Sequence, residues 1–213
     1  IGLDYSDKFL FLFDNAYLVH DFLPTRKQMP VWEIATGAGA KDQTIVVTSF
    51  SKVTFGGGGL SFMAASGKNL DLIKKTRGSM IICPDKINQK RHTQFFKDAE
   101  DIISHMTKHA ELVRPKFELA YSILETLPEA HGAFSRPTGG YFITFTSVKP
   151  IASRVIELCK EAGVLITPAG ATFPYGHDPI DSTIRIAPTF IDKDQLKVAM
   201  DVFVTAVQIA HLE

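Results

Sequence analysis

Apolar residues fall into short unbroken runs early in the chain and spread into three-and-four spacing later. That change sorts the elements. Lys8-Phe9-Leu10-Phe11-Leu12-Phe13 ends at Asp14, and Thr44-Ile45-Val46-Val47-Thr48-Ser49 and Leu60-Ser61-Phe62-Met63-Ala64-Ala65 are two more such runs. Runs of this kind predict strands buried on both faces, as parallel sheets use. The link between the first two carries Pro24, Pro30, Gly37 and Gly39, with room for a short helix at 31–35. Farther on, Ala99, Ile102, Met106, Ala110, Val113, Phe117, Ala120 and Leu124 recur at steps of three and four, which predicts one long helix. Pro115 inside it predicts a kink or break near Arg114. Pro137-Thr138-Gly139-Gly140 then leads into a strand at 141–145. Pro150 opens a helix with Ile151, Val155, Leu158 and Ala162 on one face, and Gly163 stands at its end. Short strands follow at 164–167 and 183–187. Asp192 begins a last amphipathic helix presenting Leu196, Ala199, Phe203, Val207 and Ala210. Strands alternating with helices, then a smaller mixed unit, make an α/β chain with two lobes that change over within 105–120.

The chain has 213 residues, enough for one large or two small domains. Lys and Arg number 23 and Asp and Glu 23, so no excess of cations is present to grip nucleic acid or an anionic membrane. No apolar stretch approaches the ~18 residues of a membrane span, and no leader is visible. Two cysteines, Cys83 and Cys159, are too few for a disulfide scaffold, so a reducing, cytoplasmic setting is the expectation. The seven histidines (His20, His92, His105, His109, His131, His177 and His211) show no metal spacing, and no metal site is expected. His105 and His109, four apart on a helix, could share a ligand, but packing is the plainer reading without a third ligand.

Three places carry candidate chemistry. The first is Thr48-Ser49-Phe50-Ser51-Lys52, which runs from an apolar strand through Val53-Thr54-Phe55 into four glycines, Gly56 to Gly59. A lysine at the end of a core strand either snorkels into water or serves as a nucleophile, since a neutral amine attacks carbonyls. The serines and the glycine turn would bind an anion through hydroxyls and backbone N–H groups. Neither a P-loop nor a dinucleotide fingerprint fits the glycines. The second is Asp14, directly after the first strand: a turn former, or an acid that holds a protonated ring nitrogen. Ligands in open parallel sheets sit at the carboxyl ends of strands, where Asp14 and Ser49 to Lys52 both fall. The third is Arg185 in Ile184-Arg185-Ile186-Ala187, which needs an anionic partner: an internal acid, or a substrate carboxylate held by two parallel hydrogen bonds.

Taken together, these pieces resemble the fold-type-I pyridoxal-phosphate aminotransferases, most closely the aspartate-aminotransferase-like subgroup Ic, also called MocR-like. The resemblance rests on Phe13-Asp14-Asn15-Ala16-Tyr17, Thr48-Ser49-Phe50-Ser51-Lys52, Pro137-Thr138-Gly139-Gly140-Tyr141-Phe142, Gly163-Val164, Thr167-Pro168-Ala169-Gly170-Ala171-Thr172-Phe173-Pro174 and Ile184-Arg185-Ile186-Ala187. Cys83-Pro84-Asp85-Lys86-Ile87-Asn88-Gln89-Lys90-Arg91-His92 also looks like this subgroup. It implies an α/β protein: residues 1–112 the end of the large three-layer α/β/α cofactor domain, and 113–213 the small α+β domain. It implies pyridoxal 5′-phosphate as cofactor, bonded to Lys52, whose freed amine then moves a proton at the substrate α-carbon. Asp14 would pair with the ring nitrogen, Tyr17 would hydrogen-bond the phenolic oxygen, Ser49 and Ser51 would help bind the phosphate, and Arg185 would clamp the substrate carboxylate. The partners implied are an amino acid, aspartate- or glutamate-like, a 2-oxo acid, and a second copy in a homodimer.

The chain departs from the resemblance at two points. Where the family places a phosphate-binding arginine eight residues after the lysine, Leu60 stands. The resemblance also covers only the C-terminal part of such enzymes, so further chain upstream of Ile1 is expected, and the 213 residues alone are not expected to complete an active site. A second cation for a dicarboxylic substrate is not placed; Lys86 and Arg91 read as a solvated helix start. Three rival functions remain: a cofactor-binding sensor domain of a transcription regulator, another fold-type-I enzyme such as a β-lyase or decarboxylase, and a non-catalytic interaction fragment.

Overall fold

The computed structural model describes residues 6, 8–23 and 29–213; Pro24, noted above in the first link, lies outside them. The chain divides into two compact units, 1–107 and 108–213.

In the first unit, β1 (Phe11–Asp14) runs parallel to β2 (Thr44–Ser49), with Asp14 opposite Val47. β3 (Ser61–Ala65) runs antiparallel to β2, so the order is β1-β2-β3. The parallel expectation therefore holds for one pair only. The reason is the turn at 50–60, which reverses the chain and is closed by the Phe50 N–H donating to the Leu60 carbonyl at 2.8 Å. Burial on both faces also fails for the outer strands: Phe11, Leu12, Phe62 and Met63 are all exposed. β1 and β3 are the flanking strands of a three-stranded sheet, and the described residues leave these side chains uncovered.

The short predicted helix is α1 (Val31–Gly37). Two further helices escape the periodicity. In α2 (Gly67–Met80) no residue is buried, so its sequence carries no apolar stripe; in α3 (Lys86–Phe95) only Asn88 and His92 are buried. Their starts are nevertheless written in cap residues. The Ser66 hydroxyl accepts from the Asn69 N–H, and the Asp85 carboxylate accepts from the Asn88 N–H. The long helix is α4 (Ala99–Leu124), and it contains the boundary between the units. It continues through Pro115 rather than breaking near Arg114. Proline removes one ladder hydrogen bond, but Val113, Phe117 and Ala120 on either side are buried and hold the helix together.

The second unit has an antiparallel sheet of β4 (Gly132–Phe134), β5 (Ile143–Ser147) and β6 (Thr183–Ile186), in that order. β5 alternates strictly: Ile143, Phe145 and Ser147 inward, Thr144 and Thr146 outward. Phe145 meets Phe203 edge-on, with ring centroids 5.4 Å apart. Helices α5 (Ala152–Glu161) and α6 (Lys193–Leu212) contribute Val155, Cys159, Leu196, Val207 and Ala210 to the same core. Burial pushes the Cys159 thiol up to about 11, which keeps it un-ionised at neutral pH. The Asp192 carboxylate caps α6 by accepting from the Gln195 N–H at 2.8 Å. The strand expected at 164–167 does not form. Those residues join no ladder and instead border a groove of about 810 Å³ against α6, together with Phe190 and Val198. Among the described residues, no helix is long and apolar enough to cross a membrane.

Candidate active site

The pairing of β1 with β2 fixes the candidate site. Beyond Asp14 the ladder continues by one bond, Asn15 N–H to the Val47 carbonyl at 2.8 Å, and the Thr48 hydroxyl ties back to the Asn15 carbonyl at 2.9 Å. Asp14-Asn15 and Thr48-Ser49 therefore leave the sheet side by side, at the carboxyl ends of adjacent parallel strands. Tyr17 and Lys52 lie just past those ends, and the Lys52 ammonium stands 5.2 Å from the centre of the Tyr17 ring. The Ser49 and Ser51 hydroxyls are 2.8 Å apart, and the Ser51 N–H donates to the Ser49 oxygen at 3.1 Å. One hydroxyl proton of the pair is used internally, which leaves one to donate outward.

The turn carrying Lys52 is tightly built. Val53 N–H and Thr54 N–H both donate to the Phe50 carbonyl, at 3.0 Å each. A Cβ at Gly59 would overlap the backbone nitrogen and hydroxyl of Ser51, so only glycine lets the two strands of the loop approach there. Val53 is buried, whereas Lys52, Ser51 and Asp14 are exposed. A lysine desolvated at the end of a core strand is thus not what the described residues present: the turn projects past the sheet, and they put no cover over it.

Three histidines to which the sequence assigned no functional role contact this turn. His20 lies 3.2 Å from the Lys52 carbonyl, His105 2.8 Å from the Val53 carbonyl, and His92 2.8 Å from the Thr54 hydroxyl. No sequence signal marks them, because the partners are 32, 52 and 38 residues away. His105 meets the Val53 carbonyl, and His109 meets the Tyr141 hydroxyl at 3.1 Å. Among the described residues, no three His, Cys, Asp or Glu side chains converge as a metal site. Arg91 lies over the Phe55 ring at 4.8 Å.

Arg185 belongs to the second unit, on β6 opposite Thr144. It is half-buried. Its Nε donates to the Thr167 hydroxyl at 3.4 Å, and its guanidinium lies 4.6 Å from the centre of the Phe142 ring. Among the described residues, no carboxylate pairs with it, so an internal ion pair is not what holds it. The neighbouring corner is organised by Asp178, which accepts from the N–H groups of Ile180, Ser182 and Thr183 at 3.0, 2.9 and 2.8 Å. Burial pushes the Asp178 carboxyl up, but these donors outweigh it and hold the pKa below the ordinary value.

The donor set at the β1 and β2 ends fits pyridoxal phosphate chemically. An amine suits its aldehyde, a carboxylate its ring nitrogen, and a hydroxyl pair its phosphate.

Comparison with known proteins agrees on one family. The model of the aspartate aminotransferase family matches residues 5–213. A Mycolicibacterium smegmatis protein that bears a provisional aminotransferase name is 40% identical over 208 residues, covering 96% of this chain and 49% of that protein. The crystal structure of an aspartate transaminase from Corynebacterium glutamicum superposes with a TM-score of 0.92 at 36% identity, covering 96% of this chain and 49% of that one. An α-aminoadipate aminotransferase from Thermus thermophilus, complexed with N-(5′-phosphopyridoxyl)-L-leucine, shares the fold at 20% identity with a TM-score of 0.79. The chain spans about half the length of the relatives it matches. By the match along nearly all its residues, this mixed α/β chain belongs to the aspartate aminotransferase family.

Proposed function

We propose that the protein is a pyridoxal-phosphate-dependent aminotransferase that moves an amino group between an aspartate- or glutamate-like amino acid and a 2-oxo acid. The observation that carries this reading is Lys52 beside the Tyr17 ring, just past the strand ends where Asp14 and Ser49 leave the sheet together. The name of the Corynebacterium relative and the phosphopyridoxyl ligand of the Thermus structure support the same chemistry.

Bound through its aldehyde, the cofactor supplies an electron sink for the substrate α-carbon. With the cofactor bound, the Lys52 amine would act as base toward the substrate α-proton and, as its conjugate acid, deliver a proton to the carbon that was the cofactor aldehyde. The Asp14 carboxylate would pair with the ring nitrogen and hold a proton there. The Tyr17 hydroxyl would donate to the phenolic oxygen. The spare hydroxyl proton of the Ser49–Ser51 pair would go to a phosphate oxygen, in place of the arginine that Leu60 replaces. Arg185 binds the substrate carboxylate; its present partners, a hydroxyl and an aromatic face, leave its charge available to an anion.

This reading carries the fold-type-I architecture and subgroup Ic with it. Residues 1–112 are then the end of the large domain and 113–213 the small one, in a cytoplasmic homodimer. The test is single-turnover spectroscopy of the full-length enzyme with aspartate. Oxaloacetate formed in step with the spectral change supports the reading. Release of pyruvate and ammonia from cysteine, whose β-thiol can leave as sulfide, would mark a β-lyase, and no turnover of either amino acid a sensor. Lys52→Ala is expected to lower kcat by at least about 10³-fold; turnover undiminished in that variant sinks the assignment of Lys52.

A further inference from the structure

Three successive residues of the lysine turn are each held by a different imidazole, and the three rings come from three parts of the chain. His20 follows β1, His92 sits on α3, and His105 sits on α4. Their chemistry assigns the protons. A carbonyl can only accept, so His20 donates its Nε2–H to the Lys52 carbonyl, and His105 donates its Nε2–H to the Val53 carbonyl. His92 presents Nδ1 to the Asn88 carbonyl at 2.8 Å. In the neutral ring Nδ1 therefore carries the hydrogen, and Nε2 accepts from the Thr54 hydroxyl.

These hydrogen bonds lie in apolar surroundings. Exposure is 4% for His20 and 3% for His92. His92 is flanked by the Phe50 and Phe55 rings at 6.1 and 5.5 Å, and His105 by Phe95 and Phe96 at 5.4 and 5.5 Å. All three bonds are part-buried, and the ring-lined side limits the water that could replace a lost donor, so each costs free energy to lose. The turn needs such support, because the four glycines that follow it are intrinsically loose.

We propose that His20, His92 and His105 are positioning residues that fix the backbone of residues 52–54 and so aim the Lys52 amine. This rests on reading Lys52 as the group that bonds the cofactor aldehyde, a step in which the amine nitrogen bonds the aldehyde carbon and water leaves. None of the three rings needs to touch substrate or cofactor to act in this way.

The experiment uses the full-length protein with His20 or His105 replaced by Gln or by Leu. Gln offers an N–H at the reach of Nε2; Leu has similar bulk and no donor. Two quantities are read: hydrogen exchange of the 51–59 amides without cofactor, and the rate at which added pyridoxal phosphate becomes covalently attached to Lys52, trapped with borohydride and located by peptide mass. The Leu variants are expected to exchange and to label differently from wild type by about threefold to tenfold, the size of one lost part-buried hydrogen bond: faster exchange, slower labelling. The Gln variants should stay within about twofold of wild type. Where a Leu variant folds poorly, His105→Asn or His20→Asn, with a donor of the wrong reach, is expected to give the same defect. Equal behaviour of Gln and Leu variants overturns the proposal, since the rings would then serve packing alone. If wild type shows no label at Lys52, the aminotransferase reading fails separately, and the exchange measurement still decides whether the histidines hold the turn.

Discussion

Gly59 has no room for a methyl group. The position its Cβ would take is occupied by the amide nitrogen and hydroxyl of Ser51, and backbone cannot swing aside as a flexible side chain can. Gly59→Ala is expected to destabilise the protein by roughly 1–3 kcal/mol, as overpacking does, and to break the Ser49–Ser51 hydroxyl pair with it. Chemical denaturation gives the first effect and affinity for pyridoxal phosphate the second; a variant unchanged in both contradicts the close approach. Asp178 makes a different single-residue prediction. Its folded pKa lies below the ordinary value, so its carboxylate contributes stability above that ordinary value, and loses it as pH falls through the lower, folded one. Asp178→Asn should therefore be less stable than wild type at pH 6, and the gap in urea midpoint should narrow as pH falls below about 4. A gap that stays constant with pH would show that the three N–H donors do not favour the charged form.

At the scale of elements, what the sequence displays depends on what each element buries. β5 and α6 bury one face, so their periods of two and of three-to-four are plain in the residues themselves. α2 buries nothing and α3 only two polar residues, so no stripe marks either, and their caps, Ser66 and Asp85, are the only local signal at their starts. Pro115 does not break the helix: its local cost is real, yet Val113 and Phe117 on either side are buried and hold the turn. The strand ends bearing Asp14 and Ser49 were legible because short apolar runs point to a parallel pair, and ligands gather where such strands finish. The histidine contacts were not legible. They join residues tens of positions apart, and nothing about a lone imidazole on a helix reveals which carbonyl it will meet.

For the whole molecule, burial is uneven. The second unit holds Phe117, Phe145, Phe203, Leu124, Ile143, Ile184, Leu196, Val155 and Val207, all nearly or wholly inaccessible. The first holds few such residues, and its outer strands show Phe11, Leu12, Phe62 and Met63 to solvent. Local opening free energy follows buried apolar contact. In the 213-residue chain, amides of β5 and α6 should exchange slowest, and those of β1 and β3 at least about tenfold faster. Equal protection of the two sheets, measured by mass spectrometry, contradicts that ranking.

A half-buried guanidinium that meets a hydroxyl and a benzene ring is, among the described residues, a fixed positive charge with no carboxylate paired to it. If Arg185 clamps a substrate carboxylate as proposed, it works like the resin of an ion-exchange column. Chloride, sulfate or acetate in the buffer competes for it, so the salt and not only the substrate sets how full that position is. Apparent affinities for carboxylate ligands measured in different buffers will differ for this reason alone, and they should converge once each is extrapolated to vanishing salt.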